Sequence, residues 1–241
     1  MDTSIILKLA ADNPTASGID RIVNIYHLLS QVLVLKVPGS ITELGCNEGI
    51  TSVFLRMIID QFAPERELHV YDSFQGLPQK SRYDHLTDDT ALMVKQKFAD
   101  VAANSGSNRS YDETFAMAGL KATKQQLEDK FQRWKLSSPV IHVGWFKDTL
   151  PYFLPHTIAF AYLDSDFFDS ILISLEHIYP QLSLNAIVVI DDYCDLEKNP
   201  RAWPGLPGVK EACDLFLLDK PEKMHVLVGS DDLAMGYFRK M

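Results

Sequence analysis

A short strand, a glycine-bracketed turn and a helix follow one another early in this 241-residue chain and constrain its fold most. The segment Ser40–Gly49 reads S-I-T-E-L-G-C-N-E-G, in which Ile41–Leu44 has the apolar character of a buried strand. Gly45 and Gly49 bracket the turn, and Ile50–Asp60 has the apolar spacing of a helix. This order is typical of the first unit of a nucleotide-binding α/β domain, although an ordinary strand–helix turn would look the same.

Glu43 indicates which nucleotide such a turn would bind. It lies in the predicted strand, two residues before Gly45. A carboxylate at this place repels pyrophosphate and attracts a cation. It therefore favours S-adenosylmethionine (SAM), which carries an ammonium and a sulfonium, over a dinucleotide.

The second predicted strand, Glu67–Tyr71, ends at Asp72, which lies 29 residues after Glu43. That distance suits one strand–helix–strand unit, and an acid at this strand end can bind both ribose hydroxyls of an adenosine. A capping aspartate ahead of a turn is the alternative for a single acid. An NAD-dependent oxidoreductase would use the same elements, but Asn47 stands where a further glycine is expected and Glu43 opposes pyrophosphate.

Paired acids follow two further strands. The apolar run Ile158–Leu163 is followed by D-S-D from Asp164, and Ala186–Ile190 is followed by D-D from Asp191. Ligands bind at the carboxyl ends of parallel strands, where these acids would meet and repel one another without a cation. Because all the donors are carboxylates, the pattern favours Mg²⁺; helix capping is the alternative for any one aspartate.

Composition excludes several other classes of protein. The net charge of −9 argues against a nucleic-acid surface. The three cysteines form no disulfide or zinc pattern, and the start of the chain lacks a secretory signal, so we expect a cytoplasmic protein. No apolar stretch is long enough to span a membrane, so no membrane partner is expected.

The chain is expected to form a single domain over residues 1–241, with two additions to the sheet. The polar segment 79–138 is too long for an ordinary connection, so it is predicted to be a lid or substrate-binding insertion with helices near Ala91–Ala103 and Lys124–Trp134. A solvated helical excursion is the alternative. An N-terminal helical segment, about residues 1–38, begins loosely and contains an amphipathic helix at Ile19–Val37. That helix packs on the sheet or forms a homo-oligomer, most simply a dimer.

Later elements complete the pattern. Short strands are predicted at Val140–Val143, His225–Val228 and Leu233–Phe238, the last two forming an antiparallel hairpin. A short helix, Lys147–Leu154, is expected to be broken by proline, and another helix covers Asp169–Leu182. The sequence therefore predicts a Rossmann-like α/β fold with seven strands.

Several motifs in order resemble the macrocin O-methyltransferases, which are SAM- and Mg²⁺-dependent enzymes that methylate sugar hydroxyls on natural products. The resemblance rests on E-L-G-C-N-E-G, Y-D-S-F-Q-G-L-P, G-W-F-K-D-T-L-P, Y-L-D-S-D-F-F-D-S and V-I-D-D-Y, and covers about residues 40–195 and 209–218. It implies a mostly parallel seven-stranded methyltransferase sheet with one antiparallel strand. It places Glu43, Gly45 and Asp72 at SAM, and Asp164, Asp191 and Asp192 at the metal. Further candidate cofactor contacts lie in the same motifs: Cys46, Asn47, Gly49, Ser73, Phe74, Gly144 and Trp145.

Asp164 and Asp166 are the candidate catalytic residues, because a nearby carboxylate could take the proton from the hydroxyl that is methylated. Related catechol-type enzymes carry a lysine three residues after the first metal aspartate, where this chain has Phe167. The predicted acceptor is a small molecule, a sugar of a glycosylated natural product. The alternatives are an aromatic diol, an NAD-dependent oxidoreductase and a non-catalytic SAM-binding domain.

Overall fold

A seven-stranded sheet forms the centre of the computed structural model, which describes residues 18–104 and 109–241. Its strand order is β3-β2-β1-β4-β5-β7-β6, and β7 runs antiparallel to both of its neighbours while the other pairs are parallel. The prediction of a mostly parallel sheet with one antiparallel strand is confirmed. The strands are β1 (Ser40–Leu44), β2 (Leu68–Asp72), β3 (Val140–Val143), β4 (Ile158–Leu163), β5 (Leu182–Asp191), β6 (His225–Val226) and β7 (Met235–Arg239).

The central strands are apolar because both of their faces are covered. All six residues of β4 are buried, as expected for a parallel strand between two helical layers. Strand β1 lies between β2 and β4, with Leu44 paired to Tyr71 on one side and to Leu163 on the other. The residues that follow these three strands therefore meet at one edge of the sheet.

The helices pack in two groups around the sheet. Helix α1 contacts α2, β4 and β5, while α7 packs between α6 and α8. None of the helices in the described parts of the chain combines the length and the apolar character needed to cross a bilayer. The helices are α1 (Ile19–Val34), α2 (Ile50–Phe62), α3 (Asp88–Asn104), α4 (Tyr111–Thr114), α5 (Lys124–Trp134), α6 (Phe146–Phe153), α7 (Phe168–Ile178) and α8 (Pro207–Leu217).

Some predicted boundaries are wrong, for local reasons. Helix α7 ends at Ile178, four residues early, because Tyr179 precedes Pro180 and the chain there tightens into a 3₁₀ turn. Helix α6 runs through Pro151 instead of breaking there. The predicted loose entry before residue 18 lies outside the described residues.

The segment 79–138 is largely helical and is fastened to the rest of the domain at both ends. Near its start, the Asp84 carboxylate accepts hydrogen bonds from the Ser81 backbone and hydroxyl and from the Phe168 backbone N–H, each at 2.7 Å. Asp84 thus caps α7 from outside that helix. Near its end, the fully buried Leu127 of α5 packs against Gly49 at the start of α2.

Candidate active site

The turn after β1 brings the backbones of two strand ends into close contact. Gly45 has φ +91°, and a Cβ there would lie 1.8 Å from the carbonyl oxygen of Asp164. The glycine is therefore required by the packing of β1 against the end of β4 as well as by its left-handed conformation. Gly49, with φ +81°, precedes the first turn of α2.

Glu43 is a buried acid at the floor of this turn. Its side chain is 1% exposed and accepts a hydrogen bond from the Ser52 hydroxyl. Burial raises the pKa of Glu43 to about 8, and the charge of Asp72 adds to that increase. A cationic ligand group beside Glu43 would stabilise its ionised form.

Asp72 fixes the conformation of two loops. Its carboxylate accepts the backbone N–H of Asn47 at 2.9 Å and that of Phe74 at 2.7 Å. Burial raises its pKa despite these hydrogen bonds. Each oxygen uses one lone pair in this way, and the carboxylate still lines a cavity, so it can accept hydrogen bonds from a diol.

One cavity of about 1710 Å³ extends from the glycine turn to the acids that follow β4 and β5. Most of the predicted cofactor contacts line it: Glu43, Gly45, Cys46, Asn47, Asp72, Ser73, Gly144 and Trp145. Gly49 and Phe74 shape the adjoining turns without lining it. The part of the cavity beside the glycine turn thus holds the buried carboxyl of Glu43 and the hydrogen-bond-accepting carboxylate of Asp72, which fit the ammonium and the ribose of SAM.

Three aspartates come together at the other end of the cavity. Asp164, Asp166 and Asp192 each have a carboxylate oxygen within 4.8 Å of the others. Burial raises the pKa of all three carboxyls, and the neighbouring carboxylates, Asp191 foremost, add to the increase. The pKa values of Asp164 and Asp192 lie well above the usual range of an aspartate, and that of Asp166 is about 7. Three oxygen donors under this mutual repulsion suit a hard divalent cation.

Ser165 lies between two of these acids and lines the same cavity. It is 7% exposed, and its hydroxyl has no hydrogen-bond partner in the described parts of the chain. Because buried hydroxyls are normally paired, this one is a second sign that the acidic end of the cavity accommodates a ligand.

Asp191 lies outside the three-aspartate cluster and is paired with Arg21, whose Nη2 also lies 4.0 Å from Asp192 Oδ1. Asp191 is 2% exposed, and its Oδ1 accepts a hydrogen bond from Arg21 Nε at 3.0 Å. Burial lowers the pKa of the Arg21 guanidinium, but the carboxylates around it, Asp191 foremost, outweigh that effect and raise it. The sequence analysis did not identify Arg21. The only signal was a charged residue in the first turn of a largely apolar helix.

Aromatic side chains from the insertion and from the loop before α8 form the wall beside the acids. Phe98, Phe115 and Trp203 line the cavity, with ring centroids 5.7–6.5 Å apart. Lys97 Nζ lies 2.9 Å from Asp232 and joins α3 to the turn between β6 and β7. The insertion therefore covers the acidic end of the cavity, where an acceptor would enter.

Comparison with known proteins gives a consistent result. The family model described as Macrocin-O-methyltransferase (TylF) matches residues 9–205. Mycinamicin III 3''-O-methyltransferase of Micromonospora griseorubida is 32% identical over 190 residues, covering 76% of this chain and 68% of the relative. The 8-demethyl-8-(2,3-dimethoxy-alpha-L-rhamnosyl)-tetracenomycin-C 4'-O-methyltransferase of Streptomyces olivaceus is 29% identical over 182 residues, covering 74% of this chain and 62% of the relative.

A solved structure gives the same relationship at the level of the fold. The O-methyltransferase NovP aligns with a TM-score of 0.67 and 25% identity, over 94% of this chain and 82% of that chain. The matched segments span about two thirds of the length of the two sequence relatives. The motifs, the fold and these matches together establish that the chain belongs to the macrocin O-methyltransferase family.

Proposed function

We propose that this protein is a SAM- and divalent-metal-dependent O-methyltransferase that methylates a sugar hydroxyl of a glycosylated natural product. The observation that carries the proposal is that one cavity joins the glycine turn, with its buried Glu43, to the three-aspartate cluster. SAM bound at the glycine turn and an acceptor bound at the acids would share this cavity. The methyl group and the acceptor hydroxyl could then be aligned, as in-line displacement requires.

The cofactor end is assigned from charge. Glu43 would hold the ammonium of SAM, and Asp72 would accept hydrogen bonds from the ribose hydroxyls. The two backbone N–H groups that Asp72 accepts fix its carboxylate before the ligand arrives. This preorganisation reduces the entropy lost on binding.

The acidic end would hold Mg²⁺ through Asp164 and Asp192, whose carboxylate oxygens are the donors that this ion prefers, with Asp166 beside them. A bound divalent ion would orient the acceptor hydroxyl and lower its pKa. Asp166 is the proposed proton acceptor, because its carboxylate lies within reach of the same site and would remain free of the ion.

The kind of molecule that is methylated is inferred from the aromatic and charged side chains that line the cavity near the acids. Phe98, Phe115 and Trp203 offer an apolar surface for an aglycone. Acidic side chains outnumber basic ones around the cavity, and Lys97 is already paired with Asp232. Since a nucleoside diphosphate would meet this negative field, a sugar attached to an apolar aglycone is the better fit. The names of the two sequence relatives, which refer to a tetracenomycin rhamnoside and to a mycinamicin, support that choice.

Methyl transfer should be assayed with labelled SAM against glycosides of aromatic and macrolactone aglycones, the matching nucleotide sugars, and catechols. Glycosides should be methylated with Mg²⁺, and EDTA should abolish the activity until Mg²⁺ is restored. Asp164→Asn should lower kcat about 100-fold or more with SAM binding nearly unchanged, whereas the exposed Asp148→Asn serves as a control. Full activity in EDTA would refute the metal requirement, and preference for nucleotide sugars or catechols would refute the acceptor class.

A further inference from the structure

We infer that the Ser165 hydroxyl contacts the methyl-bearing sulfonium of SAM, at the junction of the two ends of the cavity. The inference rests on the proposed function, because it takes SAM as the ligand of the glycine turn. In the described parts of the chain, the buried side-chain atoms without a hydrogen-bond partner belong to Trp134, Tyr162 and Ser165, and of these residues only Ser165 lines the cavity. Because an unpaired buried hydroxyl is costly, this one should be paired when the cavity is occupied.

Ser165 lies where the cofactor end of the cavity meets the acidic end. Strands β1 and β4 are parallel neighbours, so the residues that follow them are neighbours as well. A Cβ on Gly45 would lie 3.4 Å from the Ser165 Cα, which places this serine against the glycine turn. Its neighbours in sequence, Asp164 and Asp166, belong to the three-aspartate cluster. The serine therefore lies between the part of the cavity assigned to SAM and the part assigned to the acceptor.

The backbone around Ser165 is fixed on both sides. The Asp164 N–H donates to the Leu44 carbonyl at 2.9 Å, which continues the pairing of β4 with β1. The Phe167 N–H donates to the Ser165 carbonyl at 2.7 Å across Asp166, whose φ of +61° closes a tight turn. The hydroxyl is therefore presented to the cavity by a rigid element.

The chemistry of SAM explains why a neutral hydroxyl suits this place. Transfer needs the methyl group between the sulfur of SAM and the acceptor oxygen, which is where the two ends of the cavity meet. The methyl hydrogens carry part of the sulfonium's positive charge, so a hydroxyl oxygen beside them makes a weak C–H···O hydrogen bond. An oxygen at the side of the methyl group leaves the face opposite the sulfur open to the acceptor. A hydroxyl also adds no negative charge to a region that already holds three carboxyls.

The experiment is calorimetry on the full chain without acceptor, using three ligands that differ at the sulfonium. SAM carries a methyl sulfonium, S-adenosylhomocysteine a neutral sulfur, and sinefungin a protonated amine in place of the methyl group. Ser165→Ala should lower sinefungin affinity about tenfold or more, because the amine loses a charge-assisted hydrogen bond. SAM affinity should fall about three- to fivefold, the size of a lost C–H···O contact. S-adenosylhomocysteine affinity should stay within about 1.5-fold, because its sulfur offers no donor to the hydroxyl oxygen.

Ser170→Ala is the matched control, since Ser170 lines the same cavity from the first turn of α7. All three affinities should stay at the parent values in this variant. Thermal melts give a second readout, because deleting an unpaired hydroxyl should leave the Tm of Ser165→Ala unchanged or higher. A Tm lower by about 3 °C or more would show that the hydroxyl is already paired in the free protein, and would overturn the inference.

Two outcomes separate this inference from the proposed function. If Ser165→Ala leaves sinefungin and SAM affinity unchanged, or weakens all three ligands equally, the hydroxyl does not contact the methyl position and the inference fails, while the proposed function stands. If the parent protein binds none of the three ligands, the inference fails together with the cofactor part of the proposed function.

Discussion

The pH dependence of cofactor binding should report the ionisation of Glu43. Burial moves the pKa of this carboxyl from 4.5 to about 8 in the cofactor-free protein. That change corresponds to roughly 5 kcal/mol of preference for the neutral acid. An ammonium placed beside Glu43 would favour the ionised form, so binding at neutral pH should release a proton.

The sign of the effect follows from linkage. Below pH 8 only the ionised fraction of Glu43 is ready to bind a cation, so affinity should rise about tenfold per pH unit, or about 75-fold from pH 5.5 to 7.5. In the cofactor-free protein the folded state holds this proton more tightly than the unfolded state. The contribution of Glu43 to stability is therefore fully present below about pH 4.5 and is lost as pH rises toward about 8.

The assay is calorimetry with S-adenosylhomocysteine at several pH values and in two buffers with different ionisation enthalpies, which counts the protons released. The ligand's own amine stays mostly protonated up to about pH 7.5. Glu43→Gln should bind with little pH dependence, while the exposed Glu65→Gln should keep the parent slope. A parent affinity that does not change with pH, or a Glu43→Gln variant that retains the slope, would show that Glu43 does not hold the ammonium.

Four further predictions concern other parts of the molecule. Asp72→Ala should weaken SAM binding by about 1–3 kcal/mol, and unchanged affinity would remove Asp72 from the ribose site. Asp84→Ala loses three hydrogen bonds and leaves the Phe168 N–H unpaired, so it should destabilise the fold by about 3–5 kcal/mol and lower Tm by roughly 10 °C, with the exposed Asp129→Ala as control. If 79–138 acts as a lid, limited proteolysis there should slow with S-adenosylhomocysteine, and equal cleavage in both states would contradict this. Light scattering tests the predicted dimer, whose interface on α1 would have to use its exposed Ile19, Val23 and Val34, and a mass of 27.2 kDa at micromolar concentration would exclude it.

The strands, and the acids that line the two ends of the cavity, were predictable from local patterns. The continuous apolar run at Ile158–Leu163 indicates a buried strand, and the glycine pair after β1 indicates a turn, each from adjacent residues alone. Because carboxyl ends of parallel strands meet at one edge, Asp72 and Asp164 could be placed in the same region without coordinates. Membership of the macrocin O-methyltransferase family then favours SAM over the NAD alternative that the turn alone left open.

The long-range pairings were not predictable. Arg21 and Asp191 are 170 residues apart, and nothing near either one indicates that they meet. Asp84 stands three residues after Ser81, a visible capping pattern, but its bond to Phe168 spans 84 residues. The start of β5 was missed as well, because Leu184 and Asn185 are exposed and Asn185 has φ +68°, so the strand enters the sheet irregularly.

The most direct test of the active-site assignment is a crystal structure with S-adenosylhomocysteine and Mn²⁺, in which anomalous scattering locates the metal. We expect one Mn²⁺ held by Asp164 and Asp192, with Asp166 beside it. We also expect the ligand ammonium at Glu43 and the ribose at Asp72. An ion elsewhere, no ion at saturating Mn²⁺, or a ligand outside the cavity between these residues would contradict the assignment.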